Sequence, residues 1–477
     1  PAHRQRPTRL CMRTILLYAM LLLAWPASAQ EFTGLRTGNF SGSNGMLLNP
    51  SSLLSGNLPW DVNLVSAGAF AQNNYIYAPG QSAVGLLSAQ DAETAFFTTD
   101  YVNAHSNMLV QGPSGFINTG YFSFGLFTTA RSAGYVHSGN FPEGVNVLEN
   151  VIEDVPVQVG TVDLGLLNWM EFGANVGMAL TRNLHVGANI KYLGGFDAIT
   201  AHNREAFTFT RTDRDVELTN LLLDYSYSVN AGGYPENGLY QSNLNGWGLG
   251  ADLGFTWMQP VSRSRKEYAA YNWKVGVSVV DMGFIRFRDG AGSYHLAAND
   301  QVIVANQLMD SISTAQELTA AGDLVLYDQL GAAQVDDKFP VFTPMAVSVQ
   351  GSVNLGRGFF LQSLIVQNTA PVHEQMIARP NMVALIPQFD TRLVTVSVPV
   401  SVYDYEEVHV GTSLRVGWFT VGTDNLPSLL IPGDLDGADI YAGIRVMPWK
   451  HAGAAAAIGG ASGRKARSRM LDCPDVF

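Results

Sequence analysis

An all-β fold is what this sequence predicts: a transmembrane antiparallel β-barrel of about fourteen strands. Three observations predict it: two-residue alternation, few charges with no spanning helix, and connections that alternate between short and long. The alternation is plainest at 171–194. Phe172, Ala174, Val176, Met178 and Leu180 share one face, and Gly173, Asn175, Gly177 and Ala179 share the other. Beyond 181–183, Leu184, Val186, Ala188, Ile190 and Tyr192 lie opposite His185, Gly187, Asn189 and Lys191. This period belongs to a strand, not a helix. A three-residue turn at 181–183 sets 180 opposite 184, 178 opposite 186 and 172 opposite 192, so the hairpin has one apolar side. Its other side is small and weakly charged, as suits the inside of a barrel whose outside is lipid. On this assignment an arginine at Val176 costs ~2–4 kcal/mol at mid-bilayer, and one at Asn175 far less.

Composition agrees. Of 477 residues, 48 are Gly, 10% are aromatic and only 14% are charged, against a typical ~25%. After residue 29 no uninterrupted apolar run approaches the ~20 residues of a membrane helix. A chain in lipid must still satisfy its backbone, and a closed barrel does so without edges. The length alone suggests two to three domains; the composition points to one large β-structure. A net charge of −12 disfavours nucleic acid as a partner. Cys11 and Cys473 stand at the extremes, so no internal disulfide is expected in the exported chain. A barrel's hydrogen-bond ladder takes the place of that staple.

From the N-terminus, residues 1–11 read as translated upstream sequence with Met12 as the start. Met12-Arg13, the apolar Ile15–Trp25 and Ala27-Ser28-Ala29 make 12–29 a signal peptide. Residues 30–58 are rich in turn formers, and Phe40, Met46, Leu47 and Leu48 need burial, so a lumen plug is expected rather than a mobile tail. The barrel is expected over 59–449. Its strand-like runs fall at 60–70, 115–129, 132–138, 169–180, 184–195, 203–212, 214–228, 246–259, 271–285, 339–354, 358–367, 390–402, 408–420 and 439–449. Connections at 130–132, 181–183, 213, 355–357 and 403–407 are short; those at 71–114, 139–168, 229–245, 286–338, 368–389 and 421–438 are long. Outer-membrane barrels alternate in this way, with short turns on the periplasmic side. Within the long outer loop 286–338, Val304, Leu308, Ile312 and Ala315 recur at helical spacing and predict an amphipathic helix over the barrel mouth. Residues 450–477, low-complexity and then basic, read as a disordered tail.

Motifs that carry chemistry are scarce. There is no phosphate-binding Gly-x-x-x-x-Gly-Lys-Ser/Thr, no His-Glu-x-x-His and no nucleophile elbow, so an enzyme is not expected and no cofactor is implied. Gly246, Gly248, Gly250 and Gly254 lack dinucleotide spacing and read as small lumen-facing residues on a strand. Asp434, Asp436 and Asp439 alternate around Gly437 as in a calcium loop, but no distal Glu follows, so no metal site is assigned and the stretch reads as a polar outer loop. Asn175, His185, Asn189 and Lys191 point into the lumen on the face assignment and are candidates to line a ligand path. Asp404, Glu406 and Glu407 read as a solvated turn.

Asn49-Pro50-Ser51-Ser52, after a Gly/Asn-rich segment, resembles the Asn-Pro-Ala signature of the FadL-type long-chain fatty acid transporter superfamily. Asn189-Ile-Lys191-Tyr-Leu-Gly194-Gly, Gly248-Leu-Gly-Ala-Asp252-Leu-Gly-Phe and Gly417-Trp-Phe-Thr-Val-Gly422-Thr-Asp424-Asn425 look like an uncharacterised barrel family of bacteria with type IX secretion, related to the FadL-type and PorV-like barrels. The likeness spans roughly 30–449. It implies a fourteen-stranded barrel with an N-terminal lumen plug, in the outer membrane of a Gram-negative cell. Ser51 departs from the usual Ala. The expected function is a conduit or binding wall for a hydrophobic or amphipathic small molecule, with Phe40, Met46, Asn49 and Pro50 as further site candidates. The alternative is an accessory or structural barrel whose outer loops meet a secretion or surface protein. Membrane lipid is a partner in either case.

Overall fold

The computed structural model describes residues 31–448 except 89–92, 98, 100, 140–153, 204, 229–242, 262–268, 270, 289, 299–301, 306–313 and 370–374. The expected signal peptide, the residues before it and the basic tail lie outside that set. Fourteen antiparallel wall strands close into a barrel. They are β1 (Trp60–Asn73), β2 (Tyr101–Gln111, continued by Ser114–Asn118), β3 (Phe122–Gly139), β4 (Val162–Ala179) and β5 (Leu184–Asn203). Next come β6 (Leu221–Tyr227 and Gly246–Pro260), β7 (Tyr271–Phe287, continued by Gly292–Ala298) and β8 (Gln334–Asp336, Phe339–Phe342 and Ala346–Gly356). The circle is completed by β9 (Phe359–Asn368), β10 (Met382–Asp390), β11 (Val394–Ser397 and Val400–Tyr403), β12 (Glu407–Val410 and Thr412–Val416), β13 (Phe419–Thr423) and β14 (Gly437–Val446). β14 pairs back onto β1. No helix among the described residues is long and apolar enough to cross a membrane.

The alternation sorts the two faces. In β4 and β5, Val176 is 50% exposed and Ile190 70%, while Asn175 and Asn189 are 1% and 0%. Phe172 pairs with Tyr192 and Met178 with Val186 across the 180–183 turn. The outward face stays apolar around the wall, through Leu126, Trp257, Leu385, Leu414 and Phe419. Such a belt is stable against hydrocarbon and costly against water.

The strand number matches the expectation, but the chain is divided differently. Residues 101–111, expected in a loop, form most of β2; Asn103, His105 and Asn107 blur its alternation. The expected break at 130–132 is absent, because β3 runs on and Arg131 turns into the lumen. Phe207–Arg211 and Asp215–Thr219, expected in the wall, instead form a separate four-stranded sheet with Val157–Val159 and Val302–Ala305. Met382–Asp390, read as loop because of Pro387, is a full wall strand. The 404–406 turn lies at the end opposite 391–393 and 417–418, among the long connections, called the outer end below. The expected helix is displaced. Val304 lies in a strand, Leu308 and Ile312 fall outside the described residues, and the helix is Ala315–Tyr327, started by a Thr314–Glu317 capping box. It packs over Tyr225 and Leu296, with Thr319 Oγ1 2.8 Å from Tyr225 Oη.

Candidate functional site

Residues 31–58 lie inside the wall as three short helical turns, Thr33–Arg36, Gly42–Leu47 and Ser52–Ser55, and contribute no strand to it. Asn49-Pro50-Ser51 is the most closely seated part. Asn49 Oδ1 accepts from Ser51 N (3.0 Å) and Ser51 Oγ (2.7 Å), which fixes a local turn. Asn49 Nδ2 donates to Gln350 Oε1 (2.8 Å) and to the Phe255 carbonyl (3.2 Å). Two wall glycines leave room for it. A Cβ on Gly254 would lie 2.2 Å from Asn49 Oδ1, and one on Gly187 2.5 Å from the Pro50 carbonyl. Asn175 donates to the Pro50 carbonyl (3.0 Å), Asn189 to that of Met46 (2.9 Å) and Ser278 to that of Leu48 (2.7 Å). Carbonyls of a short helical stretch lack partners of their own, and these wall side chains supply donors. Phe40 is buried, with the Arg415 guanidinium 5.0 Å from its ring centroid, and Arg445 donates to the carbonyls of Phe40 and Ser41.

Beside this seat is a buried ionic cluster. Lys191 Nζ lies 2.8 Å from Asp281, 2.9 Å from Asp252 and 3.7 Å from Glu171. Arg131 forks onto Asp281 (2.6 and 3.1 Å), reaches Glu171 (3.0 Å) and stacks over Trp169, which also donates to Glu171. The N-terminal segment joins through Glu31, which pairs with Arg36 and with Arg379; Arg379 also reaches Asp281. Four cations thus face four carboxylates, so the buried charge balances, which is the condition for keeping ions out of water. A cavity of about 10 Å³ lies among Glu31, Arg36, Arg131, Lys191, Asp281 and Arg379, room for roughly one water.

The structure therefore gathers Met46, Asn49, Pro50, Asn175, Asn189 and Lys191 around one contact between segment and wall. Lys191, Asn175 and Asn189 are not a solvated lumen wall; they are consumed by internal bonds. His185 is buried near the other end of β5, and its Nδ1 has no hydrogen-bond partner among the described residues. The three aspartates of the calcium-like stretch are not brought together. Asp434 is exposed and Asp436 half-buried, while Asp439 is buried and accepts from Thr423 Oγ1 and the amides of Asp424 and Asn425. Glu31, Arg131, Glu171, Asp252, Asp281 and Arg379 escaped the sequence reading. One signal was available: Glu171 and Asp252 stand at lumen-phase positions between glycines and apolar residues, where a lone charge needs a partner.

Fold and site together define a closed fourteen-strand barrel whose lumen is filled by its own N-terminal segment. The chain belongs to the family of unknown function DUF5723, whose model matches residues 54–424. No curated protein matches the sequence. Among solved structures it is similar to a TodX deltaS2S3 mutant monoaromatic hydrocarbon channel, at 8% identity over 88% of this chain and 98% of that one, TM-score 0.44. It is also similar to a Pseudomonas aeruginosa FadL homologue (9%, covering 88% and 97%, TM-score 0.33) and to the Pseudomonas putida toluene transporter TodX (8%, covering 88% and 96%, TM-score 0.30).

Proposed function

We propose that the protein is an outer-membrane barrel that holds or passes an apolar or amphipathic small molecule, with residues 31–58 as the closure of its lumen. One observation carries the reading: the segment sits within the wall without being part of its sheet. A body held by side-chain bonds and glycine seats is displaceable, whereas a wall strand is not. Apolar side chains stand on both sides of it, Leu109, Phe116 and Phe127 around one cluster and Phe70, Leu364 and Ile386 around another. Displacement of the segment would open these surfaces to an apolar guest. The apolar belt and the expected signal peptide support the outer-membrane location.

A second reading has its own support. The cavity at the cluster admits about one water, and Leu87, Val335 and Leu330 are 85%, 71% and 64% exposed at the outer end. A packed barrel with apolar outer loops suits an accessory role in secretion or surface attachment. Mass spectrometry of small molecules co-purifying with the full chain, and with an Asn49→Ala, Ser51→Ala variant, separates the two. A specific apolar molecule whose occupancy changes when the seat is weakened supports the conduit. No bound molecule in either form supports the accessory barrel.

A further inference from the structure

The wall is not laddered equally all the way round. β3 and β4 pair at seventeen positions, from Phe122–Met178 to Ser138–Val162. The closing seam between β1 and β14 has three: Val62 with Val446, Asn63 with Arg445 and Val65 with Ile444, with the register slipping between Asn63 and Val65. From Ser66 upward β1 gives its ladder to β2 instead, Ser66–Asn73 against Gln111–Ala104. Contact with the β14 side returns where Asn73 N donates to the Asp436 carbonyl at 3.2 Å.

The N-terminal segment lies against this unladdered stretch. The Phe32 ring fits under Gly68, where a Cβ would lie 2.3 Å from it. A Cβ on Gly443 of β14 would lie 3.1 Å from Leu35. Gly34 N donates to Tyr441 Oη (3.1 Å), and Thr33 Oγ1 to Asp424 just beyond β13 (2.5 Å). Ser43 N donates to Asp61 of β1 (3.0 Å), and Arg445 of β14 reaches both Asp61 (3.4 Å) and the Phe40 and Ser41 carbonyls. Both strands of the seam are thus tied to the segment along a stretch where they are barely tied to each other. Phe32 also holds a left-handed backbone (φ 45°), rare for a bulky residue and sustained only by its surroundings. Outside the same seam, Val62, Leu64 and Ile440 are 44%, 51% and 40% exposed. Apolar surface therefore faces both ways across the thinnest ladder of the wall.

We propose that the β1–β14 seam is a lateral port between lumen and bilayer for an apolar small molecule, and that Phe32 and Leu35 occupy the position that molecule takes. The inference rests on the conduit reading and adds the route. Outward movement of the segment removes the ties and opens the slot. No wall strand need leave its ladder beyond the three seam pairs.

A crosslink tests it. A Cβ at 443 would stand 3.3 Å from Ser66 Cβ, close to the ~3.5–4.5 Å spacing of a disulfide. The full chain carrying Ser66→Cys, Gly443→Cys and Cys473→Ser is placed in phosphatidylcholine vesicles with a diazirine-bearing decylbenzene, illuminated, and mapped by peptide mass spectrometry. Heat-modifiable migration reports that the barrel is folded. In the reduced form, label is expected on the peptides holding Phe32 and Leu35 as well as on belt residues such as Ile190. In the oxidised form the lumen label is lost and the belt label stays. A matching lock across the full ladder, Ser123→Cys with Gly177→Cys, leaves both unchanged. Equal lumen label with the seam locked and unlocked overturns the port but leaves the conduit standing. Belt label alone in every form overturns the conduit and the port with it. Gly68→Ala, which crowds the Phe32 ring, is expected to raise lumen label in the unlocked protein; a fall counts against the port.

Discussion

The two sides of this barrel are built on different terms. From β3 to β5 the strands pair at seventeen positions per neighbour, and the side chains turned inward bond to one another as an ionic cluster. From β12 round to β1 the ladders shrink to five, four and three positions, and the side chains turned inward bond to residues 31–58. A long backbone ladder supports itself. A short one needs a third body. The same segment therefore fills the lumen and completes the wall, and substitutions in the two sectors should fail in different ways.

The largest effect is expected at Lys191. Lys191→Met leaves Asp252 without its cation and Glu171 and Asp281 with one fewer, and breaking a buried ion pair from one side costs ~3–5 kcal/mol. The loss should appear in the urea midpoint of the whole barrel in vesicles. An unchanged midpoint would mean the cluster is hydrated and the sector is not held by it. Val176→Arg comes next, at ~2–4 kcal/mol near mid-bilayer, with Val176→Leu close to neutral. Asn175→Arg, harmless if the lumen were open, now has to displace Pro50, whose carbonyl Asn175 holds at 3.0 Å. It is expected to release residues 31–58 to protease. Smaller still, Arg445→Met on the short-laddered side removes donors to Phe40 and Ser41, for ~1–3 kcal/mol. Its expected signature is faster amide exchange in β1 and β14 with β3–β5 unaffected. Uniform acceleration would erase the distinction between the sectors.

Much of the wall was legible because alternation is a local property. Val176 and Asn175 sort to opposite faces from spacing alone, and so does the Phe172–Tyr192 pairing. Where the local pattern misled, nonlocal packing had decided. β2 looks too polar, but Asn107 is buried and His105 reaches Asp404 on a distant turn. The 130–132 break was inferred from Arg131, a charge that belongs to a cluster drawn from β3, β4, β5, β6, β7 and the 379 region. The left-handed Asp281, in the part of β7 opposite the β6 register shift, turns its carboxylate to Lys191 by means that spacing does not reveal. Asn49 and Pro50 could be marked as a motif, but their glycine seats lie some 140 and 200 residues away along the chain.

The outer turn gives the gentlest test of the comparison, because it ties the short-laddered side to β2 through one carboxylate. Asp404 lies 3.2 Å from His105 Nε2 and accepts from Asn103 Nδ2 (3.1 Å) and Asn381 N (2.7 Å). Burial pushes this carboxyl upward, but the His105 hydrogen bond and charge, with the Asn381 and Asn103 donors, outweigh it and hold the carboxyl below its ordinary value. A depressed carboxylate adds stability that is present above the unfolded value of ~3.9 and is lost as pH falls through the lower folded value. Amide exchange in 400–410 should therefore be flat from neutral pH to about 4 and rise only in more acid solution. Asp404→Asn should show the faster exchange already at neutral pH and little further change on acidification. The effect should stay local, because these contacts reach β2 and Asn381 and not the ionic cluster. Acid loosening of 31–58 in step with the turn would show that the outer mouth and the lumen segment move as one body.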